Sequence, residues 1–167
     1  KGVDVLLAAI PAVVAAHPSA QFAIAGADRV PPHGELSVLQ RWQRDNQLEE
    51  NVTVLGEVDD PTLTDLMRRS SIVLMPSRYE SFGLVVVEAM MHACVPVASD
   101  IGGIRELIES GRTGLLVPVD NALALAAAVN SLLGDAVRMR AMGLDGRRHF
   151  ETLLTTPAAA ERLDGVL

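Results

Sequence analysis

Two glutamates eight positions apart, Glu80 and Glu88, flank the turn Ser81-Phe-Gly-Leu84. Together they could hold a ligand that carries both hydroxyl groups and a diphosphate. The first N–H groups of a helix have no partner within it, and the helix dipole leaves that end partly positive. Ser81, Phe82, Gly83 and Leu84 would therefore offer donors to an anion such as a diphosphate. Gly83 lets the ligand approach the backbone closely. Glu80, in the loop, could accept from sugar hydroxyls; Glu88, two turns into the helix, could accept from the adjacent pair on a ribose. The same residues also fit a plainer reading, two solvated carboxylates beside an ordinary strand-to-helix turn. Residue chemistry alone weighs the two about equally.

The turn needs a strand before it and a helix after it. Ser71-Ile-Val-Leu-Met75 is too short for a helix and reads as a strand buried on both faces. Pro76 ends it, because a proline cannot extend a central ladder. Gly83 opens a helix with Leu84, Val87, Ala89 and Met91 as its apolar positions. Upstream, Val3–Ala16 reads as a helix that Pro11 would kink or shift. Ala20–Ala25 reads as a strand, Asp28–His33 as a loop, and Glu35–Leu48 as a helix with Leu36, Leu39 and Trp42 inward. Asn51–Gly56 reads as a strand, followed by a helix with Asp60 as cap and Pro61 at its first position. Downstream come a strand at Val95–Ala98, a short helix at Ile104–Glu109 and a strand at Thr113–Val117. Helices at Asn121–Leu133, Ala136–Phe150 and Pro157–Val166 complete the chain. Strands alternating with helices predict an α/β, Rossmann-like doubly wound parallel sheet, with ligands at the carboxyl ends of the strands.

The 167 residues suffice for one substantial core, and 49% apolar against 21% charged is globular composition. A net charge of −7, from 14 basic and 21 acidic residues, argues against nucleic acid as a partner. Lys1, Arg78, Arg105 and Arg112 are the cations that could gather around a small anion. No apolar run approaches the roughly 20 residues of a transmembrane segment. The single Cys94 excludes an internal disulfide. Glu57, Asp59 and Asp60 lack metal-ligand spacing, so no metal is expected. His92, one turn after Glu88, is read as its ion-pair partner, and Trp42 as core packing. Asp100 and Arg105, beside Gly102-Gly103, could flank a bound sugar.

Lys1-Gly2, Gly26 after a strand, Val52-Thr-Val-Leu-Gly56, the run Pro76 to Met90, Pro96-Val-Ala-Ser99, Gly102-Gly103, Glu106-Leu107 and Gly114-Leu-Leu-Val117 come in one succession. This succession resembles the carboxy-terminal donor-binding domain of retaining GT-B glycosyltransferases of family 4, the group 1 type. The resemblance covers nearly the whole chain and is most specific at the two glutamates around Ser-Phe-Gly.

The resemblance implies that residues 1–167 are one half of a GT-B fold that binds a nucleotide-diphosphate sugar, in its UDP, GDP or ADP form, as substrate without a cofactor. By that resemblance Lys1 would contact the diphosphate and Glu80 the transferred sugar, these two being the catalytic candidates. Ser81, Phe82, Gly83 and Leu84 would hold sugar and phosphates, Glu88 the ribose, and Val54 and Leu55 would edge the base. The reaction would be hexosyl transfer, and the setting cytoplasmic or peripheral at a membrane through another domain. Cys94 departs from the family's usual glycine. The family also has a central strand and an arginine just before the lysine, and an amino-terminal acceptor domain. Neither precedes Lys1 here, so the chain is expected to be part of a longer polypeptide and inactive alone. The alternatives are a nucleotide-sugar-binding module without turnover, or a GT-B phosphorylase or epimerase.

Overall fold

The computed structural model describes residues 1–28 and 36–155. Helices and strands alternate as α1 (Val3–Ala16), β1 (Phe22–Ala25), α2 (Val38–Asp45), β2 (Val52–Gly56), α3 (Asp60–Arg69), β3 (Ile72–Met75), α4 (Leu84–Met91), β4 (Val95–Ser99), α5 (Gly102–Leu107), β5 (Leu115–Val117), α6 (Ala122–Leu133) and α7 (Ala136–Thr155). The helix expected over Pro157–Val166 and most of the loop Asp28–His33 lie outside the described residues. No described helix is both long and apolar enough to cross a membrane.

Every strand pair is parallel, and β4 displays the two-faced burial that parallel sheets require. All five of its residues are buried between β3 and β5. Val95 and Val97 pack with Val5 and Val13 of α1 and with Leu125 and Val129 of α6. Ala98 packs on the other side with Met75, Val86 and Ile104. Successive side chains thus reach opposite faces, each covered by helices. Pro96 fits this buried strand because pairing with β5 begins one residue later, at Val97 opposite Leu115, so its missing N–H costs no ladder bond.

The sheet is not continuous. Its strands form two sheets, β1-β2 and β3-β4-β5. Between the facing edges of β1 and β3 runs a groove of about 670 Å³, lined by Phe22, Ala23, Ala25, Ile72 and Leu74 among others. This corrects the expectation that Ser71–Met75 is buried on both faces: Ile72, Val73 and Leu74 are only half-buried, because one edge of their strand has no neighbour among the described residues. The hydrogen bonding shows which backbone groups that edge presents. The N–H groups of Phe22 and Gly26 donate to the carbonyls of Asn51, just before β2, and Gly56 at its end, and Ser71 accepts from Val95 of β4. Backbone groups alternate sides along a strand, so those of Ala23, Ala25, Ile72 and Leu74 face the groove.

Three local expectations are also corrected. Asp59, not Asp60, caps α3, its carboxylate accepting from the Thr62 N–H at 3.0 Å, and Pro61 follows at the second helical position. The helix expected from Glu35 begins at Val38 and ends at Asp45. Ser37 and Gln40 close a reciprocal capping box there, leaving Leu36 outside the helix. Pro11 neither ends nor divides α1, which continues through it, forgoing only the bond its absent N–H would make to Leu7. Trp42 packs half-buried against the cluster of Ile10, Ile24, Leu39 and Val52, in the packing role expected of it.

Candidate functional site

The loop from Pro76 to Gly83 leaves the carboxyl end of β3 and leads into α4. It is wedged between two close backbone approaches. On one side Gly2, at φ 78°, abuts Pro76 so closely that a Cβ there would lie 1.8 Å from the Pro76 carbonyl oxygen. On the other side Gly103 abuts Ser81, where a Cβ would lie 2.7 Å from the carbonyl oxygen. Both positions therefore demand glycine. Gly2 also starts α1, its carbonyl accepting from the N–H groups of Val5 and Leu6 at 3.1 Å each. Lys1 is thereby delivered to the edge of the Glu80 loop.

Gly83 is the residue before α4, at φ 72°, and its carbonyl accepts from Val86 at 2.8 Å and Val87 at 3.2 Å. The Glu80 carboxylate folds back on this turn, accepting from the N–H of Gly83 at 3.3 Å and of Phe82 at 3.4 Å. These bonds, that from Gly83 above all, hold the Glu80 carboxyl below the usual carboxylate range, and the charge of nearby Lys1 adds to the effect. Two of the four donors expected to serve an anion thus face Glu80 instead. Ser81 donates its hydroxyl to the Tyr79 oxygen at 3.2 Å, and Phe82 and Leu84 are exposed.

Glu88 lies on α4, half-buried, and lines a cleft of about 210 Å³ with Asp60 and Thr64 of α3 and with His92. The expected Glu88–His92 ion pair does not form; no Glu88 contact within 4.0 Å of His92 closes it, and both side chains face the cleft. Val54 packs into the core beneath β1 and α2, and Leu55 is exposed; neither lines the cleft at Glu88.

Of the four cations that could gather around an anion, three are engaged by carboxylates. Arg105 pairs with Asp100 at 2.6 Å and Arg112 with Glu109 at 2.5 Å. Arg78 holds two acids, Asp4 of α1 and Asp120 ahead of α6. Lys1 alone of the four has no ion pair among the described residues. The sequence reading missed Asp4 and Asp120 altogether, and no local signal could have found them, because they stand 74 and 42 positions from Arg78. Asp59 is spent as a helix cap, and among the described residues no three metal-ligating side chains converge.

The family model described as "Glycosyl transferases group 1" matches residues 1–135. A phosphatidyl-myo-inositol mannosyltransferase of Mycolicibacterium smegmatis is 39% identical over 136 residues, which cover 81% of this chain and 33% of that protein. A GDP-mannose-dependent monoacylated alpha-(1-6)-phosphatidylinositol monomannoside mannosyltransferase of Corynebacterium glutamicum is 32% identical over 174 residues, covering 100% of this chain and 44% of its own. Among solved structures, the pneumococcal O-GlcNAc transferase GtfA, crystallised with UDP and GlcNAc, superposes with a TM-score of 0.81 at 25% identity, over 99% of this chain and 33% of that one. The chain therefore spans between a third and a half of the length of these proteins.

Proposed function

The chain belongs to the glycosyl transferases group 1 family, and from that premise we propose that it is the donor-binding half of a retaining, family 4 glycosyltransferase. Its substrate is a nucleotide-diphosphate sugar, whose hexosyl group passes to an acceptor held by another domain of a longer chain. The observation that carries this reading is the assembly around the start of α4. The one unpaired candidate cation, Lys1, stands beside Glu80 and its turn, and Glu88 faces an open cleft on the same helix.

In the reaction, negative charge develops on the diphosphate as its bond to the anomeric carbon breaks. Lys1 and the amino end of α4 stabilise that charge, an effect strongest when the donors are already in place. Glu80 orients the transferred sugar through its hydroxyls, and Glu88 holds the ribose. By the family resemblance Ser81, Phe82, Gly83 and Leu84 hold the sugar and phosphates, and Val54 and Leu55 edge the base. The relative named GDP-mannose-dependent makes GDP the first diphosphate to try; the UDP in the pneumococcal structure makes UDP the second.

The groove between β1 and β3 supports the same reading of the domain. We assign it to the strand that the family resemblance leads us to expect ahead of Lys1. Pro76 follows the carboxyl end of β3 and meets Gly2, so a strand lying parallel to β3 in the groove would run toward Lys1.

Calorimetric titration with GDP, UDP and ADP tests the donor site. One diphosphate is expected to bind, and Glu88→Ala to weaken it by about 1–3 kcal/mol as the ribose loses its acceptor. Equal binding of all three by wild type and variant alike would remove Glu88 from the site.

A further inference from the structure

Among the described residues Arg78 is the one arginine whose ion pairs tie distant elements together. Its Nη1 donates to Asp4 Oδ1 at 2.9 Å and its Nη2 to Asp4 Oδ2 at 2.5 Å, a two-pronged fork onto the first turn of α1. Its Nε donates to Asp120 Oδ1 at 2.7 Å, just before α6. Every other arginine ion pair among the described residues joins positions no more than five apart. The three side chains are 46–66% exposed, so the pairs add little to global stability. A planar fork gripping both oxygens of one carboxylate fixes geometry nonetheless, because it admits only one orientation.

What that geometry fixes is the distance between two site residues. Asp4 is three positions from Lys1, and Arg78 is two positions from Glu80. Gly2 pins the same chain segment to Pro76 by backbone contact. Contact at Pro76 and fork at Arg78 are two separate anchors, and two anchors stop the Lys1 segment from pivoting over the loop.

We propose that Arg78 is a positioning residue for the donor site: through Asp4, with Asp120 as brace, it fixes Lys1 against the Glu80 turn and does not itself contact the phosphates. This rests on the donor-binding reading above. Three features support it. Arg78 already has two carboxylate partners, whereas Lys1 has none. The cluster of one guanidinium and two carboxylates carries net negative charge, a poor seat for a diphosphate. And the fork reaches α1 in its first turn, where a small displacement moves Lys1 directly.

The test compares Arg78→Gln, Asp4→Asn and the double variant with wild type. GDP and UDP are titrated calorimetrically against GMP and UMP. A positioning role predicts that both single variants weaken diphosphate binding by roughly tenfold, the scale on which misplacement of a binding group acts. It predicts a smaller loss for the monophosphates, and a double variant no worse than either single one. If Arg78 instead contacts phosphate, Asp4→Asn frees it and strengthens diphosphate binding while Arg78→Gln weakens it, and the proposal falls. Wild type that binds neither diphosphate would overturn the donor-binding reading, and the positioning claim is then judged separately by NMR titration of the Glu80 carboxyl in Asp4→Asn. Removing a negative charge alone lowers that pKa, whereas releasing Lys1 raises it. A rise upholds the fork's role; a fall overturns it.

Discussion

The Glu80 carboxylate accepts the N–H of Gly83, three residues ahead at 3.3 Å, and so covers the amino end of the helix that the site is built on. An acid in that position is favourable, since it meets both an unpaired N–H and the positive end of the helix. At 3.3 and 3.4 Å the two bonds are at the long limit for N–H to oxygen, hence weak and easily exchanged for a better acceptor. The Glu80 carboxylate thus offsets the positive end of this helix from within the loop, and Lys1 is the unpaired cation beside it.

The pH response of the turn follows from this bond. Glu80 titrates below the usual glutamate value because its charged form accepts from Gly83 and Phe82. A depressed folded-state pKa means that the contribution is present above the unfolded value of about 4.3 and is lost as pH falls through the folded one. The amide resonance of Gly83 is expected to shift only below about pH 4.3, and to stay flat in Glu80→Gln, which keeps an acceptor oxygen but cannot titrate. A Gly83 titration that persists unchanged in the variant would show that another acid governs the turn.

Gly2→Ala and Gly111→Ala separate strain from collision. Both glycines have positive φ, 78° and 89°, so alanine at either incurs about 1–2 kcal/mol of left-handed strain. At Gly111 nothing lies within 4 Å of the added methyl, and the cost stops there. At Gly2 the methyl would stand 1.8 Å from a backbone oxygen, so Lys1 and the start of α1 must move off Pro76. Urea midpoints should fall for both variants and further for Gly2→Ala, which alone should also lose diphosphate affinity.

How far the sequence revealed this site depended on the reach of the interactions. The turn at Ser81–Leu84 was legible because glycine, helix start and both acids lie within nine positions. The bounds of α1 were legible from periodicity even through Pro11. The cap of α3 was misjudged by one residue because Asp59 and Asp60 are the same residue type, and only the bond to Thr62 distinguishes them. The Ser37–Gln40 box was visible and passed over. The split sheet and the Arg78 fork were out of reach, since strand neighbours and partners 42 and 74 positions away leave no local pattern.

Cys94 should be chemically silent. It is fully buried, its thiol donates to the carbonyls of Met67 at 2.8 Å and Ser70 at 3.1 Å, and burial pushes its pKa up to about 11. The thiolate is the reactive form, so at pH 8 a disulfide reagent should modify the folded chain far more slowly than the urea-unfolded one. A raised pKa also means that its share of stability is complete below the unfolded value of about 8.5 and is lost as pH climbs toward 11. Rapid labelling of folded chain would place the thiol at the surface and contradict the packing of α3 on α4.

The groove between β1 and β3 makes the sharpest demand on experiment, because it predicts protection that alternates residue by residue. Phe22 and Gly26 donate to the carbonyls of Asn51 and Gly56, so their amides should exchange slowly with solvent deuterium. Ala23 and Ala25 point the other way, as do Ile72 and Leu74 of β3, and these amides should exchange fast in the 167-residue chain. In a chain lengthened by a strand ahead of Lys1 all four should slow, since a parallel strand in the groove would pair with both edges at once. Each new ladder bond adds about 1 kcal/mol, and covering Ile72 and Leu74 adds apolar burial, so the longer chain should also unfold at clearly higher urea. If lengthening leaves the four amides fast, the groove does not receive that strand. If they are already slow in the 167-residue chain, with a mass in solution of two copies, the open edges have found each other, which is the hazard unpaired strands carry.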